Sequence, residues 1–357
     1  MEHYAPHQGV AFEGYYSKFR LPSGAHLALI ICSVPNATNK PSHMVSLTYY
    51  PLSGRPIFQR DHFVPRIDYI TTSKANAFEL RAEGLGFMRC EADENSTTTY
   101  DLTCPEWTLK ATTRSRIPWK QGEPHSTPEG LLVRLPLPLH WHVHSFASTA
   151  DFTLDVGSAS LALPQEDRTG TALIHQEKNW ADSFPAAHMW VQAHSSTSDE
   201  SICLAGGKIL GMTAYLLGYR APGVSVSFTP PFALSVLGIS PFMSLDIDWE
   251  NRAFRICIAG LWRKIEVRAS APAEGGWFGL ASPFPDGHRN NFLTESFMAN
   301  VQVVVSERKQ GGLLGSWTCW GEWAEVKRST FDNASLEFGG EYFPERGADG
   351  AKKYEMV

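Results

Sequence analysis

Charge is scarce in this chain. Asp, Glu, Lys and Arg make up 19% of its 357 residues, below the usual quarter. The net charge is -6 and no long basic run occurs, which excludes the clustered positive face that nucleic acid demands. The six cysteines contain no Cys-x-x-Cys pair, so neither a zinc knuckle nor a dithiol redox motif is present. Phosphate loops, dinucleotide fingerprints and nucleophile elbows are missing as well, and no organic cofactor is expected. The start, MEHYAPHQG, has no charged segment followed by an apolar one. A secretory leader is therefore not expected, and reduced thiols in a cytoplasmic setting are. The most apolar stretch, residues 224–243, is broken by Pro230, Pro231 and Pro241, which argues against a membrane span.

Helical periodicity is also scarce. Short alternating runs take its place: HLALIICSV, HMVSLTYY, RAFRICIAGLW, KIEVRAS and NVQVVVSER. Turn clusters such as LPSG, PLSG, APGV and PFPDG separate them, and 29 Gly with 23 Pro suit many turns. The pattern predicts an all-β fold, barrel or sandwich, with few short helices near 200–215 or 290–300. Hydrophobic residues at 43% and 11 Trp supply a core or an aromatic-lined cavity. The length exceeds one ordinary core. A boundary is expected in the polar stretch SFASTAD, giving domains 1–147 and 148–357. The tail after residue 345 reads as frayed.

The stretch LPLHWHVHSF, residues 137–146, places His140, His142 and His144 at the strand period, hence on one face. Leu135, Leu137, Leu139, Trp141 and Val143 face away. His140 and His144 would be roughly 13 Å apart on a straight strand, whereas a zinc–nitrogen bond is about 2 Å. No metal is expected. A metal pair built on His140 and His142, or a merely wet sheet face, are the competing readings. The strand at 188–194 alternates in the same way. His188, Trp190, Gln192 and His194 share one face, and Met189, Val191 and Ala193 share the other, purely apolar one. Aromatics mixed with hydrogen-bonding groups suit a ligand pocket, and one lumen or cleft is expected to receive both strands. In IHQEKNW, His175, Glu177 and Asn179 alternate, with Glu177 the natural proton carrier. Lys178 is a donor for a substrate oxygen. Trp180 and Trp190 can face a developing cation, a contact worth about 0.5–2 kcal/mol. His288 and Arg289 lie between Gly-rich turns in an expected loop, where Arg289 can polarise a carbonyl.

Three stretches resemble the tocopherol cyclase family. FEGYYSKFRLPSGAHLALI, residues 12–30, is similar to that family's FEGWY segment followed by a strand. His140–Trp141 is similar to its P-H-W-Q. HQEKNWADSFPAAHMWVQAHS, residues 175–195, matches its E-K-N-W-G…F-P…W-x-W-V-Q pattern at Glu177, Lys178, Asn179, Trp180, Phe184, Pro185, Trp190, Val191 and Gln192. Departures are Tyr15 for Trp, Ala181 for Gly, and His142 and His144 outside the pattern. The resemblance implies two lipocalin-like β-barrels and a cofactor-independent cyclase or pericyclase acting on an apolar terpenoid, prenylated or tropolone-like substrate. It places Glu13 and Tyr15 at the site. Gly315-Ser316-Trp317 is similar to the lipocalin Gly-x-Trp. Two ring closures are open: hetero-Diels–Alder addition of an o-quinone methide to a terpene alkene, and acid-initiated closure of a chroman. A non-catalytic carrier of apolar ligands is the competing class. Nothing in the pattern defines an oligomeric state.

Overall fold

The computed structural model describes residues 3–53, 56–72, 76–157, 161–182, 184–309 and 322–345. The chain forms two compact units, Met1–Phe184 with Gly276–Leu293, and Pro185–Gly275 with Thr294–Glu345. The fold is all-β, as the alternating runs predict. Among the described residues the helical pieces are two single 3-10 turns, Gly130–Arg134 and Gln165–Asp167. The segments near 200–215 and 290–300 are strands. No helix there is long and apolar enough to cross a membrane.

The first unit contains β1 (Phe12–Arg20), β2 (His26–Ser33), β3 (His43–Tyr50), β4 (Phe58–Val64), β5 (Ile67–Thr71), β6 (Phe78–Ala82), β7 (Gly86–Cys90), β8 (Thr98–Thr103), β9 (Trp107–Thr113), β10 (Leu139–Val156) and β11 (Thr169–Ala181). They form one antiparallel sheet in the order β4-β3-β2-β1-β11-β10-β9-β8-β7-β6-β5. Each strand sends alternate residues into one core: Phe19 from β1, Leu27 and Leu29 from β2, Leu80 from β6, Leu109 from β9, Phe152 from β10 and Ile174 from β11. Burying each such side chain contributes about 1.5–3 kcal/mol. The one non-sequential neighbour pair is β1 with β11, running from Phe12↔Ala181 to Arg20↔Leu173.

The rest of the chain contains β12 (Ala187–His194), β13 (Ser201–Ile209), β14 (Met212–Ala221), β15 (Val224–Phe228), β16 (Leu234–Val236), β17 (Met243–Asp248), β18 (Ala253–Ala259), β19 (Arg263–Ser270), β20 (Phe278–Phe284), β21 (Gly287–Arg308) and β22 (Trp323–Gly340). Their sheet runs β15-β14-β13-β12-β22-β21-β19-β18-β17, with β16 on β14 and β20 on β21. Gly207 lies where β12 and β13 meet. A Cβ there would come within 1.8 Å of the Ala187 carbonyl, so no other residue fits.

The boundary expected at 147/148 falls inside β10, and the chain divides at Phe184/Pro185 instead. The polar residues that read as a linker serve bulges. The β10–β11 register shifts between Val143 and Ser145 and again between Ser145 and Ser148. At these shifts Ser145 Oγ accepts the Ile117 N–H at 3.0 Å, and Ser148 Oγ donates to Ser145 Oγ at 2.9 Å. Leu135 and Leu137 precede the strand rather than belonging to it, and Leu135 is exposed. Gly315-Ser316-Trp317 and Cys319 lie outside the described residues.

Candidate active site

The register of three adjacent strands brings a polar set into the first unit's lumen. Cross-strand neighbours are His140, Trp180 and Glu13 in one row, and His142, Lys178 and Tyr15 in the next. Gln176 and Ser17 form the row below, where both hydrogen-bond the Tyr100 hydroxyl, at 2.9 and 2.8 Å. Beyond them Ile174 and Phe19 begin the apolar part of the lumen. The lumen is therefore graded, apolar at one end and ionic at the other. All three histidines of β10 are buried, so this is no wet sheet face. The first bulge falls at His144 itself and the second between Ser145 and Ser148, a device that re-aims side chains beside functional sites.

Lys178 has no exposed surface and pairs with the Glu13 carboxylate, itself 2% exposed. Its ammonium also donates to Tyr15 Oη at 3.2 Å and lies 4.8 and 5.0 Å from the Tyr15 and Trp180 ring centres. Burial, with the charge of Glu13 second, pushes the Tyr15 phenol well above its ordinary value of 10.0, so it stays a neutral O–H. An ion pair this dry repays its desolvation only when further hydrogen bonds satisfy it, as they do here.

The long connection between β9 and β10, residues 114–138, supplies Glu129. Its Oε2 accepts from His140 Nδ1 at 2.7 Å, and its Oε1 accepts the Trp141 N–H at 2.6 Å. Trp119 anchors the same connection by stacking on Phe146 at 5.0 Å and meeting Trp141 edge-on at 5.8 Å. A carboxylate on one imidazole nitrogen fixes ring orientation and tautomer, leaving Nε2 for a substrate. The His140 ring also stacks on Trp180, 5.0 Å between centres at 15°.

The sequence reading placed His140, His142, Lys178, Trp180, Glu13 and Tyr15 at a site, and the structure gathers all six in this lumen. Glu177 and Asn179 are on the opposite face of β11. Glu177 is held by His175 Nε2 at 2.9 Å, and Asn179 lies against Gly14. The period put them there, and the expectation that Glu177 serves the same chemistry as Lys178 is corrected. Trp190, Gln192 and His194 lie on β12, in the second unit's sheet rather than in this lumen, together with His188, which pairs with Glu337 at 2.9 Å. His288 and Arg289 begin β21 instead of forming a loop. His288 Nδ1 bonds the Pro41 carbonyl at 2.9 Å, and burial lowers its pKa. Arg289 is half-exposed, pairs with Asp286 at 2.9 Å and lies over the Phe284 ring.

Sequence reasoning missed Glu129, Tyr4 and His7. Glu129 sits in a Thr-Pro-Glu-Gly turn with no period to expose it. The only signal for Tyr4 and His7 was the density of rings in HYAPH.

Elsewhere in the first unit, His62, Cys104 and Glu106 bring one donor atom each within 4.8 Å of one another. His62 Nε2 already accepts the Trp107 indole N–H at 3.0 Å, and burial raises the Cys104 thiol's pKa. The set does not fit a metal without giving up that bond.

No family model and no curated protein matches this chain. Solved structures do. CghA superposes with a TM-score of 0.55 at 14% identity, over 93% of this chain and 88% of its own. Kievitone hydratase from Nectria haematococca superposes with a TM-score of 0.54 at 10% identity, over 94% and 91%. At such identities the likeness speaks for architecture. Over more than nine-tenths of its length, this chain has the fold of CghA and kievitone hydratase, the barrel fold that the tocopherol cyclase-like motifs imply.

Proposed function

We propose that the chain is a cofactor-independent cyclase that closes a pyran ring on an apolar terpenoid or prenylated substrate in secondary metabolism, by hetero-Diels–Alder addition of a tropolone-like o-quinone methide to an alkene. The observation that carries this reading is the buried Lys178 ammonium, fixed by Glu13 and Tyr15 beside the stacked Trp180 and His140 at the ionic end of an apolar lumen. In this addition three π bonds become one, and one C–O and one C–C σ bond form. No electron or proton is exchanged with the protein. What helps is orientation and a donor at the heterodiene oxygen, where negative charge grows. Lys178 is that donor, and Trp180 with the rings around it holds the planar partner. The fold neighbour named a hydratase supports a lumen of this kind handling an oxygenated small molecule.

A second reading, acid-initiated closure of a chroman, is favoured by the Glu129–His140 pair, in which the carboxylate holds the imidazole through Nδ1. A carrier of apolar ligands is the outcome of failure. The test incubates the protein with a quinone methide precursor and an alkene and resolves the products on a chiral column. Accelerated formation of one stereoisomer is expected. A product ratio and stereochemistry identical to the protein-free reaction leave only a carrier.

A further inference from the structure

Residues 3–9 belong to no strand, yet they fill the ionic end of the lumen. Tyr4 is fully buried. Its ring stacks on His144, 3.8 Å between centres at 10°, and meets Tyr15 and Phe78 edge-on at 5.5 and 5.6 Å. Lys178 Nζ donates to the Ala5 carbonyl at 2.7 Å and the Tyr4 carbonyl at 3.4 Å. The His7 ring stacks on Trp180 at 4.0 Å and 12°, and its backbone N–H donates to Glu13 at 3.1 Å. Backbone pairing with the sheet begins only at Ala11, which donates to Ala181 at 3.1 Å. Between the two lies Gly9, at φ +79 with nothing within 4 Å of where a Cβ would be. That is a left-handed conformation in open space, suited to a pivot.

These contacts have the character of a bound ligand. A hydroxylated six-membered ring lies in a slot between His144 and Phe78. Two carbonyl oxygens lie on the ammonium, and a planar ring covers Trp180. Lys178, Glu13, Tyr15, Trp180, His142 and His144 are all engaged by the chain's own segment.

We propose that residues 3–8 are an internal strap that fills the ring slot of the site and swings out about Gly9 when a planar, oxygenated ring takes its place. The inference rests on the reading of this lumen as the active site. A strap closed for 90–99% of the time weakens apparent affinity by about 10- to 100-fold, since only the open fraction binds. The strap then excludes water and wrong ligands, and ring width together with an oxygen for Lys178 decides what displaces it.

The test uses tropolone as probe, a flat ring with adjacent carbonyl and hydroxyl. It is titrated by calorimetry into the full chain and into full-length Tyr4→Ala/His7→Ala, with hydrogen exchange followed in both. The variant should bind about 10- to 100-fold more tightly. In the parent, saturation should speed exchange in residues 3–9 while protecting β10 and β11. Equal affinities, with residues 3–9 unchanged or better protected on binding, overturn the strap and leave the site standing. Absence of binding by both, with the variant folded, removes the site reading and the strap with it. A variant that fails to fold, beside a parent segment that tropolone leaves protected, makes Tyr4 ordinary core and also overturns the proposal.

Discussion

Glu129 and Glu13 do different work on two neighbouring side chains, and substitution separates them. Glu129 holds the His140 ring through Nδ1 and caps the Trp141 N–H. Glu129→Gln keeps an acceptor but loses the charge, so turnover should fall at least about tenfold, as befits a mispositioned acid–base group. Glu129→Ala leaves two buried donors unmet, at about 1–3 kcal/mol each. Single-turnover rates set against thermal melts distinguish the two, and a Gln variant as fast as the parent takes His140 out of the chemistry. Glu13 faces a fully buried ammonium. Lys178→Met should cost about 3–5 kcal/mol, because the buried Glu13 carboxylate loses its ammonium partner and keeps only its bonds from His7. Adding Glu13→Gln should restore much of that stability while activity stays lost. A double variant no more stable than Lys178→Met alone shows that the pair is not coupled. His140 and Lys178 were legible because their types stand out on a strand. Glu129 was not, because a loop has no period and only the fold brings residue 129 to residue 140.

At the level of the element, period was read correctly, but on β11 it did not say which face points inward. On β11 the even residues, Gln176, Lys178 and Trp180, enter the lumen, and the odd ones, His175, Glu177 and Asn179, leave it. Both sets are polar and nearly all buried, so hydropathy gave no preference. On β12 the same holds for burial, but one face is wholly apolar: Met189 and Val191 have no exposed surface. Val191→Asp puts an unpaired charge there and should abolish cooperative melting of the second unit. A variant melting like the parent would mean the face is misassigned. The strap is an element too, and His7 makes it sensitive to pH. Burial lowers the His7 pKa from its ordinary 6.5, with Lys178 and His140 acting in the same direction and Glu13 opposing. His3 and Trp180 stack on the ring. A released imidazole regains the ordinary value and binds the proton better than one in place. Acid therefore favours release, beginning below pH 6.5 and levelling off below the folded-state pKa. Amide exchange in residues 3–9, corrected for its intrinsic rate, should rise from about pH 7.5 to about 5.5, where histidine titrates. His7→Gln should flatten the rise, and a parent without any rise refutes the linkage.

For the whole molecule, the two sheets were foreseeable from alternation, while the division between units was not. Composition located a boundary at Ser145–Asp151, since serine and threonine runs read as linker. In the fold those residues are mid-strand, their hydroxyls tied across bulges to Ile117, Ser115 and one another. The consequence is testable with fragments. A fragment ending at 147 cuts β10 after its histidines and lacks β11 altogether. β1 would then have β2 on one side and nothing on the other, and β9 would lose the Ala150–Val156 segment it pairs with. The sheet would separate into two pieces with open edges, neither holding the Lys178 row. A fragment ending at 184 keeps all of β1 to β11 but gives up Gly276–Leu293 of the first unit, and with it the Tyr50 hydroxyl on the Gly276 carbonyl, Gln59 on Gly279, the Asn39 and Lys40 N–H groups on the Asp286 carbonyl, His288 on Pro41, and the Phe278 ring beside Tyr50. Losing a few such hydrogen bonds costs about 0.5–1.5 kcal/mol apiece, within what a domain can spare. The 1–184 fragment should therefore show sheet circular dichroism and a cooperative melt below that of the full chain. The 1–147 fragment should aggregate or remain unfolded. Cooperative folding of 1–147 would mean that β11 is not the strand that joins the two halves of the sheet, and the register that places Lys178 between Tyr15 and His142 would fall with it.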